Sequence, residues 1–162
     1  MSTPVLTFTA GLFARMRQLA EATYPFEGCG VLVGRTSDRA SIVTEVVEGH
    51  NLVTDRRHDR YELDPRDIIR AEKLARGRGD EVLGFFHTHP DHPARPSQFD
   101  TDRAWPGYHY VVIAVHSGHQ VAATAWRLQD GAEGNRFVEA DLEVLGDGTS
   151  GYNPPDLVAE EM

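Results

Sequence analysis

The stretch DPRDIIRAEKLARGRGDEVLGFFHTHP, residues 64–90, decides the fold class. Its first residues predict a helix start: Asp64 as the cap, Pro65 at the first helical position, and Asp67 three residues after the cap. Ile68, Ala71, Leu74 and Ala75 recur at spacings of three and four, which places them on one apolar face, and Gly77 and Gly79 are expected to stop the helix. Val82-Leu83-Gly84-Phe85-Phe86 then runs without a polar residue, as a buried strand does, and leads straight into His87-Thr88-His89-Pro90. A β-branched strand is expected upstream over Ser41 to Val47. Strand, helix, strand in that order suggests a crossover unit, and with it an α/β fold: a mixed sheet flanked by helices in a single domain.

Working outward, Leu12, Met16, Leu19 and Ala20 form one stripe and predict an amphipathic helix over residues 10–24, ending before Pro25. Gly28 to Gly34 is an apolar run between glycines and reads as a buried strand. Residues 49–63 are a polar, basic loop (His50, Arg56, Arg57, His58, Arg60). Past a proline-rich loop, Ser97 to Trp105 reads as a short helix stopped by Pro106-Gly107. Tyr108 to Val115 and Val121 to Leu128 read as a hairpin around Ser117-Gly118-His119, and Val138 to Leu145 as a weaker strand. The domain is expected over residues 1–145, with 146–162 a flexible acidic tail.

The composition narrows the chemistry. The chain has 162 residues, 25 acidic against 16 basic, for a net charge of −9. That balance argues against nucleic acid or an anionic membrane as the main partner, because phosphate binding needs clustered Lys and Arg. No apolar run reaches the ~18 residues of a membrane-spanning helix, and the N-terminus lacks the pattern of a secretory leader, so a cytoplasmic protein is expected. The single cysteine permits neither an internal disulfide nor a Cys-rich zinc finger. If a metal is bound, histidine and carboxylate must bind it.

His87-Thr88-His89 supplies such donors. Alternate strand residues share a face, so both imidazoles project together from the end of a buried strand. Pro90 turns the chain, and a carboxylate further on can fold back; Asp100 is one candidate, with His92 and Asp102 as rivals that spacing leaves open. Two histidines and an aspartate would hold zinc with one position open to water. Ser97 and Asp100 alone are also explained as a helix N-cap and its capping-box partner. Cys29 between glycines is read as a small core residue. His50, His58, His109, His116 and His119 are expected at the surface or in loops, although His58 and Tyr61 could border a substrate groove. Trp105 and Trp126 are expected in the core.

His87-x-His89, seven residues, then Ser97-x-x-Asp100 resembles the signature of the JAMM, or MPN-plus, zinc metalloproteases. The segment Tyr24-Pro25-Phe26-Glu27-Gly28-Cys29-Gly30-Val31-Leu32-Val33-Gly34 is similar to the one that carries that family's upstream glutamate, with Glu27 in its place. The resemblance covers about residues 5–130 and is nearest to the short, stand-alone bacterial members. It implies the three-layer architecture shared with cytidine deaminases. It implies one zinc per chain on His87, His89 and Asp100, with Glu27 as general base and then acid, and Ser97 as donor to the oxyanion. It further implies cleavage of a peptide or isopeptide bond at the C-terminal tail of a small ubiquitin-like or sulfur-carrier protein. Only seven residues separate Asp100 from Tyr108, too few for a long insertion that would grip a polyubiquitin chain.

Three alternatives compete. One is a metal-binding scaffold of the same fold; another is hydrolysis of a small amide. The third is a RadC-like protein, whose His-Asn-His-Pro-Ser-Gly run differs here at Thr88 and Asp91-His92. Oligomeric state is left open.

Overall fold

The computed structural model describes residues 4–132 and 134–146. Beyond Gly146, the expected acidic tail lies outside the described residues. Strand β1 (Val5–Thr9) leads directly into helix α1 (Ala10–Ala22), and strands β2 (Cys29–Thr36) and β3 (Ala40–Glu48) follow. Helix α2 (Pro65–Arg78) feeds strand β4 (Glu81–Pro90), the short helix α3 (Gln98–Arg103) comes next, and β5 (His109–His116) and β6 (His119–Gln129) form the hairpin. Strands β7 (Arg136–Ala140) and β8 (Leu142–Leu145) end the described chain.

The helix starts form for the reasons the sequence indicates. The Asp64 carboxylate accepts from Arg66 N at 2.9 Å, and Gly79, at φ 73°, supplies the left-handed residue that closes α2. Gly77 lies inside α2 and does not stop it. Helix α1 ends at Ala22 with Thr23 as its cap, ahead of Pro25.

All eight strands form one mixed sheet in the order β7-β6-β5-β4-β2-β3-β1-β8. Strand β4 is central, antiparallel to β2 and parallel to β5. Residues 138–145 are a correction to the expected single weak strand. They fall in two strands on opposite edges of the sheet, joined through Asp141 alone. Ala140 and Leu142 are two backbone steps apart, about 7 Å, so the edges meet there and the sheet curls into a half-barrel. Strand β1 is a further element that the sequence does not announce; it pairs in parallel with both β3 and β8.

Each sheet face has its own core. On one, Phe13, Met16 and Ala20 of α1 pack with Phe8, Leu32, Phe86 and Ile113, all at most 1% exposed. On the other, Ala71 and Ala75 of α2 pack with Val31, Val33 and Phe85. Alternation along β2 and β4 sorts Leu32 from Val31 and Phe86 from Phe85. Burial of a single large apolar side chain of this kind contributes about 1.5–3 kcal/mol, and both faces do so around β4. The strand that carries the histidines is therefore held from both sides.

Two further expectations are corrected. His109 is not a surface residue: it is 1% exposed, with Nε2 3.1 Å from Ser41 Oγ. Its backbone runs so close to β4 that a side chain at Gly84 would place Cβ 1.9 Å from the His109 carbonyl oxygen. Trp105 is not core: it is 56% exposed, beside Phe85. Trp126 is half-buried, and Cys29 is buried as expected, its thiol pushed up to about 12 by burial.

Candidate active site

The C-terminal end of β4 presents His87 and His89 on one face. Ser97 caps α3 and turns that helix so that Asp100 reaches back to them. The Ser97 Oγ accepts from Asp100 N at 3.0 Å, and the Asp100 carboxylate accepts from Ser97 N at 2.8 Å, a complete capping box. The same carboxylate oxygen, Oδ2, lies 3.1 Å from His87 Nε2 and 3.1 Å from His89 Nε2, and the two ring nitrogens are 3.3 Å apart. All three residues are buried, and among the described residues they are the one His/Cys/Asp/Glu group whose ligand atoms converge in this way.

That spacing can be tested against a metal. Donors of a tetrahedral zinc ion with bonds of about 2.0–2.1 Å stand about 3.3 Å from one another. The donor types and their 3.1–3.3 Å spacing fit such an ion. His89 Nδ1 lies 2.9 Å from the Pro93 carbonyl, which can only accept, so Nδ1 carries the proton and the Nε2 lone pair faces the group. His87 is packed against Tyr61, ring centroids 4.6 Å apart and 18° from parallel, while its Nδ1 is buried without a partner.

The electrostatics follow from this crowding. Burial disfavours the charged form of His87 and lowers its pKa, against the pull of Asp100. Burial acts the same way on His89, but the bonds to Asp100 and the Pro93 carbonyl outweigh it and raise the pKa. Burial alone would raise Asp100; the two histidines and Ser97 N reverse that and hold its carboxyl far below the usual range.

Glu27 lies just before β2, close enough to feel the charges of His89 and Asp100. It is 7% exposed, and burial, with Asp100 and Asp59 adding to it, pushes its carboxyl up to about 8. Its location depends on two residues that sequence reasoning misses. Thr88, between the two histidines, points the opposite way. Its hydroxyl accepts from Gly28 N at 2.8 Å, and its own N–H donates to the Gly28 carbonyl at 3.0 Å. Period-2 alternation signals only that Thr88 faces away from the two histidines; its bond to Gly28 N has no signal in the sequence. Asn51 uses both ends of its amide: Nδ2 donates to the carbonyls of Glu27 (3.2 Å) and Arg60 (3.1 Å), and Oδ1 accepts from Val53 N and Glu62 N. Glu27 N in turn donates to the Arg57 carbonyl at 2.5 Å, so the 50–62 loop is tied to the glutamate's backbone. No local signal distinguishes Asn51 in the sequence.

Glu27, His89, Ser97, Asp59, Arg60 and Arg95 line one cleft of about 320 Å³. Ser97 is exposed in it, and because its Oγ accepts from Asp100 N, the hydroxyl proton is left to donate. His92 lies on the cleft rim and Asp102 accepts from Gln98 at 2.8 Å; neither joins the three converging donors. His50, His58, His116 and His119 are exposed. The arrangement suits hydrolytic chemistry: a donor group able to hold a metal reaches the opening through His89, beside a carboxyl able to exchange a proton and a hydroxyl donor.

The chain is similar to known proteins over most of its length. Residues 9–129 match the family described as prokaryotic homologs of the JAB domain. A desampylase of Haloferax volcanii is 35% identical over 134 residues, spanning 82% of this chain and 88% of that protein. Among solved structures, a protein of Desulfitobacterium hafniense superposes with a TM-score of 0.72 at 28% identity, covering 92% of this chain and all of that one. A Salinibacter ruber protein gives 0.65 at 33% identity, over 94% and 99% of the two chains. With the match extending across both core faces, the histidine strand and the hairpin, the chain belongs to the prokaryotic JAB-domain family.

Proposed function

We propose that this protein is a zinc-dependent hydrolase, one zinc per chain, that cleaves a peptide or isopeptide bond at the C-terminal tail of a small ubiquitin-like or sulfur-carrier protein in the cytoplasm. The observation that carries the reading is the convergence of His87, His89 and Asp100, with His89 lining one cleft together with Glu27 and Ser97. The identity to a desampylase supports the substrate class. Zinc, when bound, supplies a Lewis acid that acidifies water and polarises the scissile carbonyl. His87, His89 and Asp100 would hold it. Glu27 accepts a proton from the attacking water and delivers it to the departing amine; its burial keeps the proton's affinity high enough for the return step. Ser97 Oγ donates to the oxygen that gains charge, an interaction worth about 3 kcal/mol in other hydrolases. The tail enters extended, adding as a strand beside the site.

The test is incubation of zinc-loaded protein with ubiquitin-like proteins carrying C-terminal extensions, read by mass spectrometry. Loss of the extension at the end of the tail is expected. Stoichiometric zinc with every such substrate left intact would favour the scaffold reading instead.

A further inference from the structure

The two histidines of β4 are not held in the same way. A metal-ligating histidine is ordinarily oriented by a hydrogen bond from its second ring nitrogen. His89 has one, from Nδ1 to the Pro93 carbonyl at 2.9 Å. His87 does not: the residue is 2% exposed, and its buried Nδ1 has no partner among the described residues. What meets the His87 ring instead is the face of Tyr61, with centroids 4.6 Å apart and planes 18° from parallel. The ring of His89 also touches it, but tilted by 58° at 5.1 Å.

The 50–62 loop delivers Tyr61 to that position. Its two ends pair with each other: Leu52 N donates to the Glu62 carbonyl at 2.8 Å and Asp64 N to the His50 carbonyl at 2.9 Å, with a bridge between Asn51 and Leu63. On the other flank, Arg60 sets its guanidinium 4.4 Å over the ring of Phe99, the residue before Asp100. The Tyr61 hydroxyl forms no hydrogen bond among the described residues. The side chain is half-buried and borders an apolar cavity of about 290 Å³ with Leu63, Ile68 and Phe85. Tyr61 is therefore not enclosed by core on all sides, and its closest ring partner is His87.

We infer that Tyr61 is a positioning residue for the metal site: its ring face fixes the plane of the His87 imidazole, the part that a hydrogen bond plays for His89. The inference rests on the zinc site of the proposed hydrolase. Stacked rings resist tilting, because a tilt opens a gap on one side and forfeits dispersion contacts there. For His87 the ring plane decides where Nε2 points, and Nε2 stands 3.1 Å from Asp100 Oδ2 and 3.3 Å from His89 Nε2. With the stack removed, no hydrogen bond on Nδ1 remains to keep the ring in that plane. The contact is made by the ring face, so phenylalanine serves in place of tyrosine. An aliphatic side chain fills the space but offers no flat surface.

The experiment compares wild type, Tyr61→Phe and Tyr61→Leu, each stripped of metal and shown to be folded by cooperative urea unfolding. Zinc affinity is read by competition with a chromogenic chelator, and ligand geometry by the visible spectrum of the cobalt(II)-loaded protein. Tyr61→Phe is expected to match wild type in both. Tyr61→Leu is expected to bind zinc about tenfold to a hundredfold more weakly, the span for losing an outer-shell partner, and to show displaced cobalt bands. If Tyr61→Leu does not fold, Tyr61→Met takes its place with the same expectation, since an unbranched chain fills irregular space. Wild-type affinity in the aliphatic variant overturns the inference. Weaker affinity with an unaltered cobalt spectrum overturns it too, because lost fold stability alone lowers affinity without moving the ligands. A Tyr61→Phe variant as impaired as the aliphatic one assigns the effect to the hydroxyl and overturns the stack. Wild type that binds no zinc refutes the metal site itself, and the role of Tyr61 with it.

Discussion

His109 should make this fold sensitive to mild acid. The residue is 1% exposed, its Nε2 is satisfied by Ser41 Oγ, and its Nδ1 has no partner. Burial, with the charge of Arg127 adding to it, lowers its pKa from 6.5 to about 4. The folded chain therefore keeps His109 neutral where the unfolded chain protonates it. Between those two values the unfolded state binds more protons, so stability is full above pH 6.5 and is lost as pH falls toward 4. The interval corresponds to about 3 kcal/mol. The perturbation is His109→Gln, which keeps a neutral hydrogen-bonding end near Ser41 and cannot titrate. Urea unfolding of both proteins, followed by tryptophan fluorescence in chelator at pH 7.5 and pH 4.0, gives the comparison. Carboxylates that titrate over this range are common to both and cancel. The wild type should lose about 3 kcal/mol more than the variant. Losses that agree within about 0.5 kcal/mol, inside the error of extrapolation, would refute a buried neutral His109.

Other consequences concern the site. Glu27→Gln should retain zinc while kcat falls by about 10²–10⁴-fold, the span of general acid–base catalysis; substantial residual turnover removes Glu27 from the mechanism. His89→Ala should lose stoichiometric zinc by elemental analysis, and with it any zinc-induced rise in Tm, because metal binding and folding are linked. A variant with full zinc content would transfer the ligand role, with His92 first in line. Asn51→Ala removes two donors and two acceptances that tie the 50–62 loop to Glu27, so kcat should drop with zinc content unchanged; an unaltered kcat would show that the loop does not position Glu27.

The elements written in local chemistry are legible in the sequence itself. Asp64-Pro65 and the three-and-four spacing of α2 give helix start and face, and Ser97-x-x-Asp100 marks α3 down to its capping box. The shared face of His87 and His89 follows from strand periodicity. What is not legible is set by partners distant in sequence. Val5–Thr9 becomes a strand because β3 and β8 flank it. Residues 136–145 change edges at Asp141, and nothing in their own composition records that turn. His109 is buried against Ser41, 68 positions away. Trp105 remains exposed although its backbone N–H is held by Tyr110 Oη at 2.8 Å. Glu27 is the clearest case: its nearness to the histidines comes from the Thr88–Gly28 pairing across β4 and β2, so within the sequence only the family resemblance points to it.

On the proposed reading, zinc held by His87, His89 and Asp100 drives hydrolysis at a ubiquitin-like tail. Its most direct test is a zinc titration of metal-stripped protein, with cleavage of a ubiquitin-like substrate extended past its Gly-Gly end as the readout. Activity should be absent without metal and rise to a plateau at one equivalent of zinc per chain. Cleavage that persists in the stripped protein, or that is still absent at one equivalent, would contradict a zinc-driven hydrolase.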